Sequence, residues 1–407
     1  MKAALMGHGV VGSGVAEILL GKRDFLAKKA GQPIELVKIL DLRDFPDLDY
    51  RHLFTKEFTD ICEDDSVGIV IEAMGGLHPA YDFVKTCLEK GKSVVTSNKE
   101  LVAEKGAELL NIAREKNVNF FFEASVGGGI PVIRPMHLCL AANKLDKVYG
   151  ILNGTTNFIL TKMIKEQMSF EAALAIAQEL GYAEKDPTAD VEGIDACRKI
   201  CILASIACGK HIYPQEVHAE GITAITSEDV AYAASAGYVV KLIGQAVLGE
   251  EKHQVMVSPM LISVDHQLSS VDDVFNAVLV QGDCTGDVLF YGKGAGKFPT
   301  ASAVVADVVH AAKMPGTSLS LRWEDSGKDT ALPFEECENS FYYRLQGDVS
   351  ADRVEELWGE VIWLTRKDQP DHEVAFTTAR MKEGKALLAE SRLENAQILG
   401  KIRILEQ

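Results

Sequence analysis

Residues 177–199 of the 407-residue chain, AQELGYAEKDPTADVEGIDACRK, contain several carboxylates close to Lys199. A helix is predicted at the end of this run, and it places Asp195 and Lys199 one turn apart on the same face. A solvated i,i+4 salt bridge is the commonest structure for such a pair. Here residues 194–207 are mostly apolar, so we expect the helix to be buried. Because burying two ions adds little stability, the pair favours a chemical role over a structural one.

The amino terminus supplies the first element that could position a cofactor. A strand predicted over residues 2–6 runs directly into GHGVVG, which opens a helix through residue 20. Glycines at this spacing allow a tight turn and close approach of the backbone to a pyrophosphate, and the helix start offers free N–H groups. The motif alone is weak, but its position predicts a dinucleotide site. The expected contacts are Gly7, Gly9, Val10, Val11 and Gly12.

The second predicted strand, residues 34–40, ends at Asp41 and is followed by Arg43. An acid at this strand tip binds the ribose hydroxyls of NAD, whereas a nearby arginine favours the 2′-phosphate of NADP. The sequence offers both groups, so we expect NADP or NAD, with a slight preference for NADP. Solvated loop charges are the alternative interpretation.

Two more strands, predicted over residues 68–72 and 92–96, end in polar turns. Ligands bind at the carboxyl ends of strands in such sheets, so both turns should line the cofactor crevice. A lone lysine is more often a surface charge, but the strand tip favours a substrate or cofactor contact for Lys99. The residues expected at these turns are Met74, Gly75, Ser97 and Lys99.

The acidic run also carries a long pattern. The chain resembles the homoserine dehydrogenase family, whose signature spacing is matched at Ala177, Gly181, Tyr182, Ala183, Asp186, Pro187, Asp190, Val191, Gly193, Asp195 and Lys199. The resemblance implies reversible NAD(P)-dependent reduction of L-aspartate 4-semialdehyde to L-homoserine, in threonine and methionine biosynthesis. It covers the chain as far as residue 315 or so and reaches the tail only by pattern.

The resemblance implies roles for these residues. Lys199 is the expected group for proton transfer, directly or through one water, and Asp195 holds it in place. A lysine does this near neutral pH only if burial and a second cation, such as Lys99, lower its pKa. The expected substrate-binding residues are Glu184, which would accept from the α-amino group, Asp190 and Gly181.

A triple glycine follows the next predicted strand, residues 119–122. In the family the matching loop binds a monovalent cation, sodium or potassium, through a carboxylate and backbone carbonyls. Hard oxygen ligands suit such an ion, and a structural turn without metal is the alternative. The implied ligands are the side chain of Glu123 and the carbonyls of Val126, Gly128 and Ile130.

The middle of the chain reads as an α+β domain. Its predicted elements are a strand over 148–152, helices over 158–165, about 169–180 and about 190–208, and strands over 255–258, 261–264 and 277–281. The alternating strands predict an antiparallel sheet. In the family such a sheet lies at a subunit interface, so we expect a homodimer or tetramer.

A second glycine-rich segment, GKGAG at residues 292–296, precedes a helix predicted over 299–312. Taken alone, the glycines indicate a flexible loop. By resemblance, the helix returns to the dinucleotide domain and Gly294 and Gly296 contact the cofactor.

The tail begins with a predicted linker, residues 316–336. Beyond it the order strand-helix-strand-strand-helix-strand resembles an ACT regulatory domain over residues 337–407. ACT domains usually carry Asp-x-Pro-Gly after the first strand, whereas this chain has QGDVS at 346–350. Binding of threonine or another effector is therefore an open question.

The predicted fold class is α/β. It combines a Rossmann-type dinucleotide-binding domain, an α+β substrate-binding and dimerisation domain, and the small βαββαβ (ACT-like) domain. The first is expected over residues 1–134 and about 297–315, and the second over 135–296.

Composition limits the partners. Hydrophobic content of 47% and charged content of 25% are those of an ordinary globular protein. The net charge of −17 disfavours nucleic acid and anionic membranes, and eight cysteines without CxxC spacing favour a reducing compartment. We therefore expect a cytoplasmic enzyme with a small-molecule substrate. Two alternatives stay open: another NAD(P)-dependent oxidoreductase of an amino-acid aldehyde or alcohol, and a catalytically inactive amino-acid-sensing homologue.

Overall fold

The computed structural model describes residues 1–318, 321–327 and 329–406. Within these ranges the strands are β1 (Lys2–Met6), β2 (Glu35–Leu40), β3 (Phe54–Thr55), β4 (Val67–Glu72), β5 (Ser93–Thr96), β6 (Phe120–Phe121), β7 (Leu145–Ile151), β8 (His218–Ala219), β9 (Tyr238–Val247), β10 (Gln254–Ser263), β11 (Phe275–Gly282), β12 (Gly286–Lys293), β13 (Glu338–Gly347), β14 (Val361–Leu364), β15 (Glu373–Thr378), β16 (Met381–Lys382) and β17 (Ala396–Ile404).

The α-helices of the same ranges are α1 (Val10–Gly21), α2 (Arg23–Ala30), α3 (Thr59–Cys62), α4 (Ala80–Glu89), α5 (Lys99–Glu115), α6 (Gly154–Glu166), α7 (Phe170–Glu179), α8 (Thr188–Val191), α9 (Ile194–Cys208), α10 (Ser227–Ser235), α11 (Lys297–Lys313), α12 (Ala351–Trp358) and α13 (Glu383–Ser391).

The first sheet has the order β3-β2-β1-β4-β5-β6, and each neighbouring pair is parallel. This is the strand order of a Rossmann-type dinucleotide-binding domain, which reverses direction between β1 and β4. The predicted fold class is confirmed here. The four strands predicted over residues 2–96 match β1, β2, β4 and β5 within one residue at each end.

The core of this sheet includes a helix from far along the chain. Ala301, Val304 and Val308 of α11 pack with apolar residues of β1 and α1. Lys297, at the start of α11, also forms an ion pair with Glu17 of α1 at 2.7 Å. The first compact unit therefore consists of Met1–Lys144, Cys201–Pro214 and Phe290–Gly327.

The second sheet has the main order β12-β11-β7-β9-β10-β17-β13-β15-β14 among the described residues, with β8 on β10 and β16 on β13. Most pairs are antiparallel, as expected. The pairs β10–β17 and β10–β8 are parallel, because β8 and β17 reach β10 through long connections rather than hairpins. Since β17 pairs with β10, the strands of the tail continue the sheet of the middle of the chain.

The second compact unit consists of Leu145–Ile200, Gln215–Leu289 and the described residues from 329 onward. The predicted domain boundaries stay predictions, and the compact units divide the chain at different points. Residues 135–144 group with the first unit, and the tail groups with the second.

The helix predicted over residues 190–208 is interrupted. α8 ends at Val191 and α9 begins at Ile194, and between them Gly193 has φ +78°. A left-handed residue ends a helix, and glycine adopts that conformation without steric cost. Asp190 and Asp195 therefore lie on two different helices.

The strands predicted over 255–258 and 261–264 are one strand, β10. Pro259 lies inside it and is aligned with Leu242 of β9. On the other side of β10, Pro259 falls between the short pairings at Met256 and Val257 and at Met260 and Leu261. A proline, which has no N–H to donate, is tolerated at such a gap.

The tail has the predicted element order, β13-α12-β14-β15-α13-β17, with the two-residue strand β16 added. The segment predicted as a linker is partly packed, because Trp323 is 3% exposed and its ring lies against Gly106. Residues 319, 320 and 328 of that segment lie outside the described ranges. Among the described residues, every helix is too short or too polar to span a lipid bilayer.

Candidate active site

The glycine-rich turn joins β1 to α1. Gly7 has φ +93°, and a Cβ on Gly12 would lie 2.0 Å from the carbonyl oxygen of Gly7. Both glycines are therefore needed for the turn and for close packing of the helix on the strand. A Cβ on Gly9, by contrast, would have no protein atom within 4 Å.

The start of α1 fits a pyrophosphate. No side chain caps the first amides of α1, and Val10 is 69% exposed. Open space at Gly9 next to uncapped N–H groups is the arrangement that binds phosphate at a helix start. The residues present here therefore fit a dinucleotide, and Val10 and Val11 supply the first helical amides.

Asp41 and Arg43 lie at the tip of β2. Arg43 donates to both Asp41 oxygens, at 2.9 and 2.8 Å, and the amide of His8 donates to Asp41 Oδ2 at 2.8 Å. The hydrogen bonds from Arg43 outweigh desolvation and hold the pKa of Asp41 well below its usual range. The acid and the arginine thus form one unit attached to the glycine-rich turn.

The turn after β4 is shaped by Glu72, which the sequence analysis missed. The amides of Met74 and Gly75 donate to Glu72 Oε1 at 2.7 and 3.2 Å, and the hydroxyl of Thr96 donates to Oε2. Glu72 is fully buried, and burial raises its pKa. An acid as the last residue of a buried strand was the available signal.

Ser97 and Lys99 follow β5. The amide of Ser97 approaches the carbonyl oxygen of Glu72 at 3.4 Å, and Lys99 is the half-buried first residue of α5. Asn98 caps α5 by accepting from the amide of Leu101 at 3.0 Å. Both predicted residues therefore lie at the carboxyl edge of the first sheet.

The two glycine-rich loops pack against each other. The amide of Gly129 donates to the carbonyl of Lys293 at 3.0 Å, and a Cβ on Gly128 would lie 2.1 Å from the carbonyl oxygen of Gly294. Gly296 has φ +121° and precedes α11. The GKGAG segment is thus part of a built junction and not a loose loop.

Glu123 organises the loop for which a cation is predicted. Its Oε1 accepts from the amides of Val132 and Ile133 at 2.7 and 2.8 Å, and Oε2 accepts from Arg134 N at 2.8 Å. These bonds occupy Oε1, while Oε2 keeps capacity for a further ligand. Val126, Gly128 and Ile130 are buried in the same loop.

Asp307 of α11 holds this loop from the other side. It accepts from the amide of Glu123 at 2.9 Å and forms an ion pair with Arg134. Asp307 is 1% exposed, and burial raises its pKa although Arg134 opposes the shift. Sequence reasoning missed Asp307, whose signal was a single acid inside an apolar helix.

The lysine–aspartate pair lies in the second unit and is buried. Lys199 Nζ donates to Asp195 Oδ2 and to the carbonyl oxygen of Leu152, both at 2.7 Å. The side chains are 10% and 4% exposed. The ammonium therefore points into the protein, against the end of β7, and not into bulk solvent.

Asn153 connects the pair to Asp190. Its Nδ2 donates to Asp190 Oδ1 at 2.7 Å and to Asp195 Oδ2 at 2.9 Å, and its Oδ1 caps α6 by accepting from Thr156 N at 2.9 Å. The structure thus brings together three predicted residues, Lys199, Asp195 and Asp190. The sequence analysis did not include Asn153 among the site residues.

The remaining substrate candidates lie on the loop between α7 and α8. Gly181 has φ +73° and a Cβ there would meet no atom within 4 Å. Glu184 is exposed, and Gln178 Nε2 donates to its backbone carbonyl at 3.1 Å. Thr155 of α6 anchors the same loop by donating to the carbonyl of Tyr182 at 2.7 Å.

Comparison with known proteins agrees with these features. Residues 7–123 match the family model for the NAD-binding domain of homoserine dehydrogenase, and residues 131–309 match the one for homoserine dehydrogenase itself. Homoserine dehydrogenase from Bacillus subtilis is 44% identical over 312 residues, which are 76% of this chain and 72% of that protein. The chain belongs to the homoserine dehydrogenase family.

Solved homoserine dehydrogenases share the fold. The enzyme from Thiobacillus denitrificans superposes with a TM-score of 0.90 at 34% identity, covering 100% of this chain and 98% of that one. A hyperthermophilic archaeal homoserine dehydrogenase in complex with NADPH gives a TM-score of 0.66 at 29% identity, covering 76% of this chain and 97% of that one.

Membership of the homoserine dehydrogenase family settles the reaction class. The chain is an NAD(P)-dependent oxidoreductase with a small-molecule substrate. The assignment of individual site residues, the choice between NADP and NAD, and the ACT-like character of the tail stay predictions.

Proposed function

We propose that this enzyme interconverts L-homoserine and L-aspartate 4-semialdehyde, with Lys199 as the group that transfers the proton. The observation that carries the proposal is the buried Lys199–Asp195 pair, whose ammonium is 2.7 Å from both the aspartate and the carbonyl of Leu152. A charged pair at this depth adds little stability by itself, which favours a chemical role.

The residues of the second unit have different proposed roles in proton transfer and substrate binding. Lys199 donates a proton to the substrate oxygen as the aldehyde is reduced, and takes one back in the reverse direction. Asp195 and the Leu152 carbonyl fix the direction of the ammonium, and Asn153 holds Asp195. A bound nicotinamide would supply or accept the hydride. Glu184, on the exposed loop, accepts from the substrate α-amino group, while Asp190 orients the substrate hydroxyl or a water.

Lys99 and the two glycine-rich regions, all in the first unit, have proposed roles of their own. Lys99 contacts the substrate or cofactor, and Ser97, Met74 and Gly75 line the turns beside the nicotinamide. Gly294 and Gly296 contact the cofactor from the start of α11. The roles after β4 and β5 rest on the position of those residues at the carboxyl edge of the parallel sheet. The roles of Gly294 and Gly296 rest on the packing of their segment against the loop that follows β6.

NADP is the proposed cofactor, with NAD as the weaker one. The tip of β2 borders a cavity of about 380 Å³ that is lined by two acids, Asp41 and Asp44, and by a larger group of cations, Arg43, Arg51 and Lys56. Such a group fits a 2′-phosphate. The archaeal relative in complex with NADPH supports the same choice.

A sodium or potassium ion is proposed at the loop of residues 123–130. The donor set is Glu123 Oε2 with the carbonyls of Val126, Gly128 and Ile130. Hard oxygens on a loop suit a monovalent cation. Activity measured with and without potassium or sodium tests this proposal.

The proposed assembly is a homodimer or tetramer in the cytoplasm. β12 and β14 stand at the two ends of the strand order, where Leu289 is 41% and Ile362 is 69% exposed. Apolar edge strands of this kind favour pairing or packing with another chain. Light scattering after size-exclusion chromatography measures the assembly, and activity measured against rising threonine tests whether the ACT-like tail binds an effector.

The test of the reaction is spectrophotometric. Nicotinamide absorbance is followed with L-homoserine and each cofactor, and with a panel of other amino-acid alcohols. We expect turnover on homoserine and a loss of about 10²–10⁴-fold in Lys199→Ala. Lys241→Met is the control, because Lys241 is also a buried lysine, 1% exposed, on Asp272 and outside the site. Lys199→Ala within about threefold of normal turnover would contradict the role of Lys199.

A further inference from the structure

The segment that carries Asp190 and Asp195 is packed against a second segment, residues 218–223. The amide of Ile222 donates to the carbonyl of Val191 at 2.8 Å. A Cβ on Gly221 would lie 2.0 Å from that same carbonyl oxygen, so the two backbones touch without an intervening side chain. Gly193 lies near the carbonyl oxygen of Glu220, which would be 3.3 Å from a Cβ placed there.

The residues that make these contacts are close in sequence to the two aspartates of the site. Val191 is the neighbour of Asp190, and Gly193 is two residues from Asp195. A shift of residues 220–222 would therefore move both carboxylates that Asn153 connects. Close backbone packing transmits such shifts, because no side chain lies between the two backbones at Val191 and Gly221 to absorb them.

The second segment is fixed in turn by the last strand of the chain. Arg403 of β17 donates from Nη1 to Glu220 Oε2 at 2.6 Å. Its Nε and Nη2 donate to the two oxygens of Glu383 at 2.5 and 3.2 Å. The side chains of Arg403 and Glu383 are 3% and 0% exposed. Because the buried carboxylate of Glu383 accepts from two donors of Arg403, the guanidinium has little freedom to move. Its third donor, Nη1, therefore fixes the position of the Glu220 side chain.

We propose that Glu220 and Arg403 are positioning residues for the substrate site, through which the tail sets the geometry of Asp190 and Asp195. The inference rests on the proposed role of those carboxylates and deepens it. In this arrangement the tail contributes directly to the geometry of the substrate site. It supplies one end of a continuous packed link, Arg403–Glu220–Val191, that ends one residue from the site.

A matched ion pair in the tail separates positioning from simple stability. Glu390 is paired with Lys401 at 2.7 Å and accepts from the hydroxyl of Tyr343 at 2.6 Å. Like Glu220, it is a carboxylate bound to a cation of β17, but its contacts lie within the tail. Glu390→Gln should lower the melting temperature without changing the substrate site.

The experiment compares Glu220→Gln, Glu390→Gln and the unmodified full-length enzyme. For Glu220→Gln we expect KM for homoserine to rise about fivefold and kcat to fall, with KM for the cofactor within about twofold. For Glu390→Gln we expect both KM values to stay unchanged. Amide hydrogen exchange of the peptide covering residues 188–196 gives a readout independent of turnover, and it should speed up in Glu220→Gln alone. Gly221→Ala, whose Cβ would collide with Val191, should raise KM for homoserine in the same way.

The inference is overturned if Glu220→Gln leaves both KM for homoserine and exchange at residues 188–196 unchanged, or if Glu390→Gln changes them equally. Glu220 is 39% exposed, so its amide variant is expected to fold. If Glu220→Gln does not fold, Glu220→Asp is used in its place, because it keeps the charge but moves it away from Arg403. An unmodified enzyme that does not oxidise homoserine would instead refute the proposed function, as would an active Lys199→Ala variant.

Discussion

The side-chain amide of Asn153 lies 2.9 Å from Asp195 Oδ2, the oxygen that also accepts from Lys199 at 2.7 Å. One carboxylate oxygen therefore receives an amide donor and an ammonium donor. Because Asn153 also donates to Asp190, a single side chain aligns two carboxylates and, through one of them, the lysine.

Removing the donor group of Asn153 should impair catalysis more than stability. Asn153→Ser keeps a good cap for α6 but removes both side-chain N–H groups. Losing hydrogen bonds to charged groups predicts a fall in kcat/KM of about 10–100-fold, with a small change in melting temperature. Steady-state kinetics and thermal unfolding measure the two effects. Ser169→Ala, which removes the cap of α7, is the control and should change only stability.

The glycine-rich turn allows cofactor binding to be separated from folding. A Cβ on Gly9 meets no protein atom, so Gly9→Ala should leave the melting temperature of the cofactor-free enzyme unchanged. The methyl group would occupy the space proposed for the pyrophosphate, so affinity for the cofactor should fall at least about tenfold. Calorimetric titration measures the affinity. Gly21→Ala at the other end of α1 also meets open space and should affect neither quantity. Equal affinities in the two variants would exclude a phosphate at Gly9.

The proposed preference for NADP should depend on Arg43. Arg43→Gln removes the guanidinium that covers Asp41 and borders the cationic cavity. We expect KM for NADPH to rise about tenfold and KM for NADH to stay level or fall, because the freed carboxylate can then accept from ribose hydroxyls. Lys29→Ala, which removes an exposed cation of α2, is the control. A parallel rise in both KM values would contradict recognition of the 2′-phosphate.

The Glu220–Arg403 pair predicts how stability depends on pH. Burial would raise the pKa of Glu220, but hydrogen bonds and charge from His218 and Arg403 outweigh it and lower the pKa from 4.5 to about 2. A lowered carboxyl pKa contributes stability above the unfolded value, and this contribution is lost as pH falls through the folded value. The melting temperatures of the unmodified enzyme and Glu220→Gln should therefore differ most near neutral pH, approach each other below about pH 4.5 and converge near pH 2. Thermal unfolding across pH checks this, and a constant gap would contradict it.

Local sequence patterns were enough for most of the first sheet and for the buried lysine–aspartate pair. The strand–glycine–helix unit at Gly7 is encoded within about a dozen residues, so its elements were predicted almost to the residue. The i,i+4 spacing of Asp195 and Lys199 likewise fixes a shared helix face, and both proved buried. The break at Gly193 was missed because an apolar periodic pattern continues on one side of it and glycine is tolerated in helices.

Other features depend on segments that are far apart in the chain. Asp307 and Glu123 are separated by more than 180 residues, and so are Arg403 and Glu220. Nothing in the sequence near Glu220 indicates which cation it meets. The partner of a buried charge is selected by the pairing of β17 with β10, and that pairing is a property of the whole sheet.

The sequence by itself determined the family, the dinucleotide turn and the shared helix face of Asp195 and Lys199, because glycine conformations and helical spacing act over a few residues. Only the tertiary structure decided how those residues are held. Asn153 donates to two aspartates, Asp307 accepts from Glu123, and Arg403 donates to Glu220. Each of these hydrogen bonds joins distant segments, and burial makes it necessary.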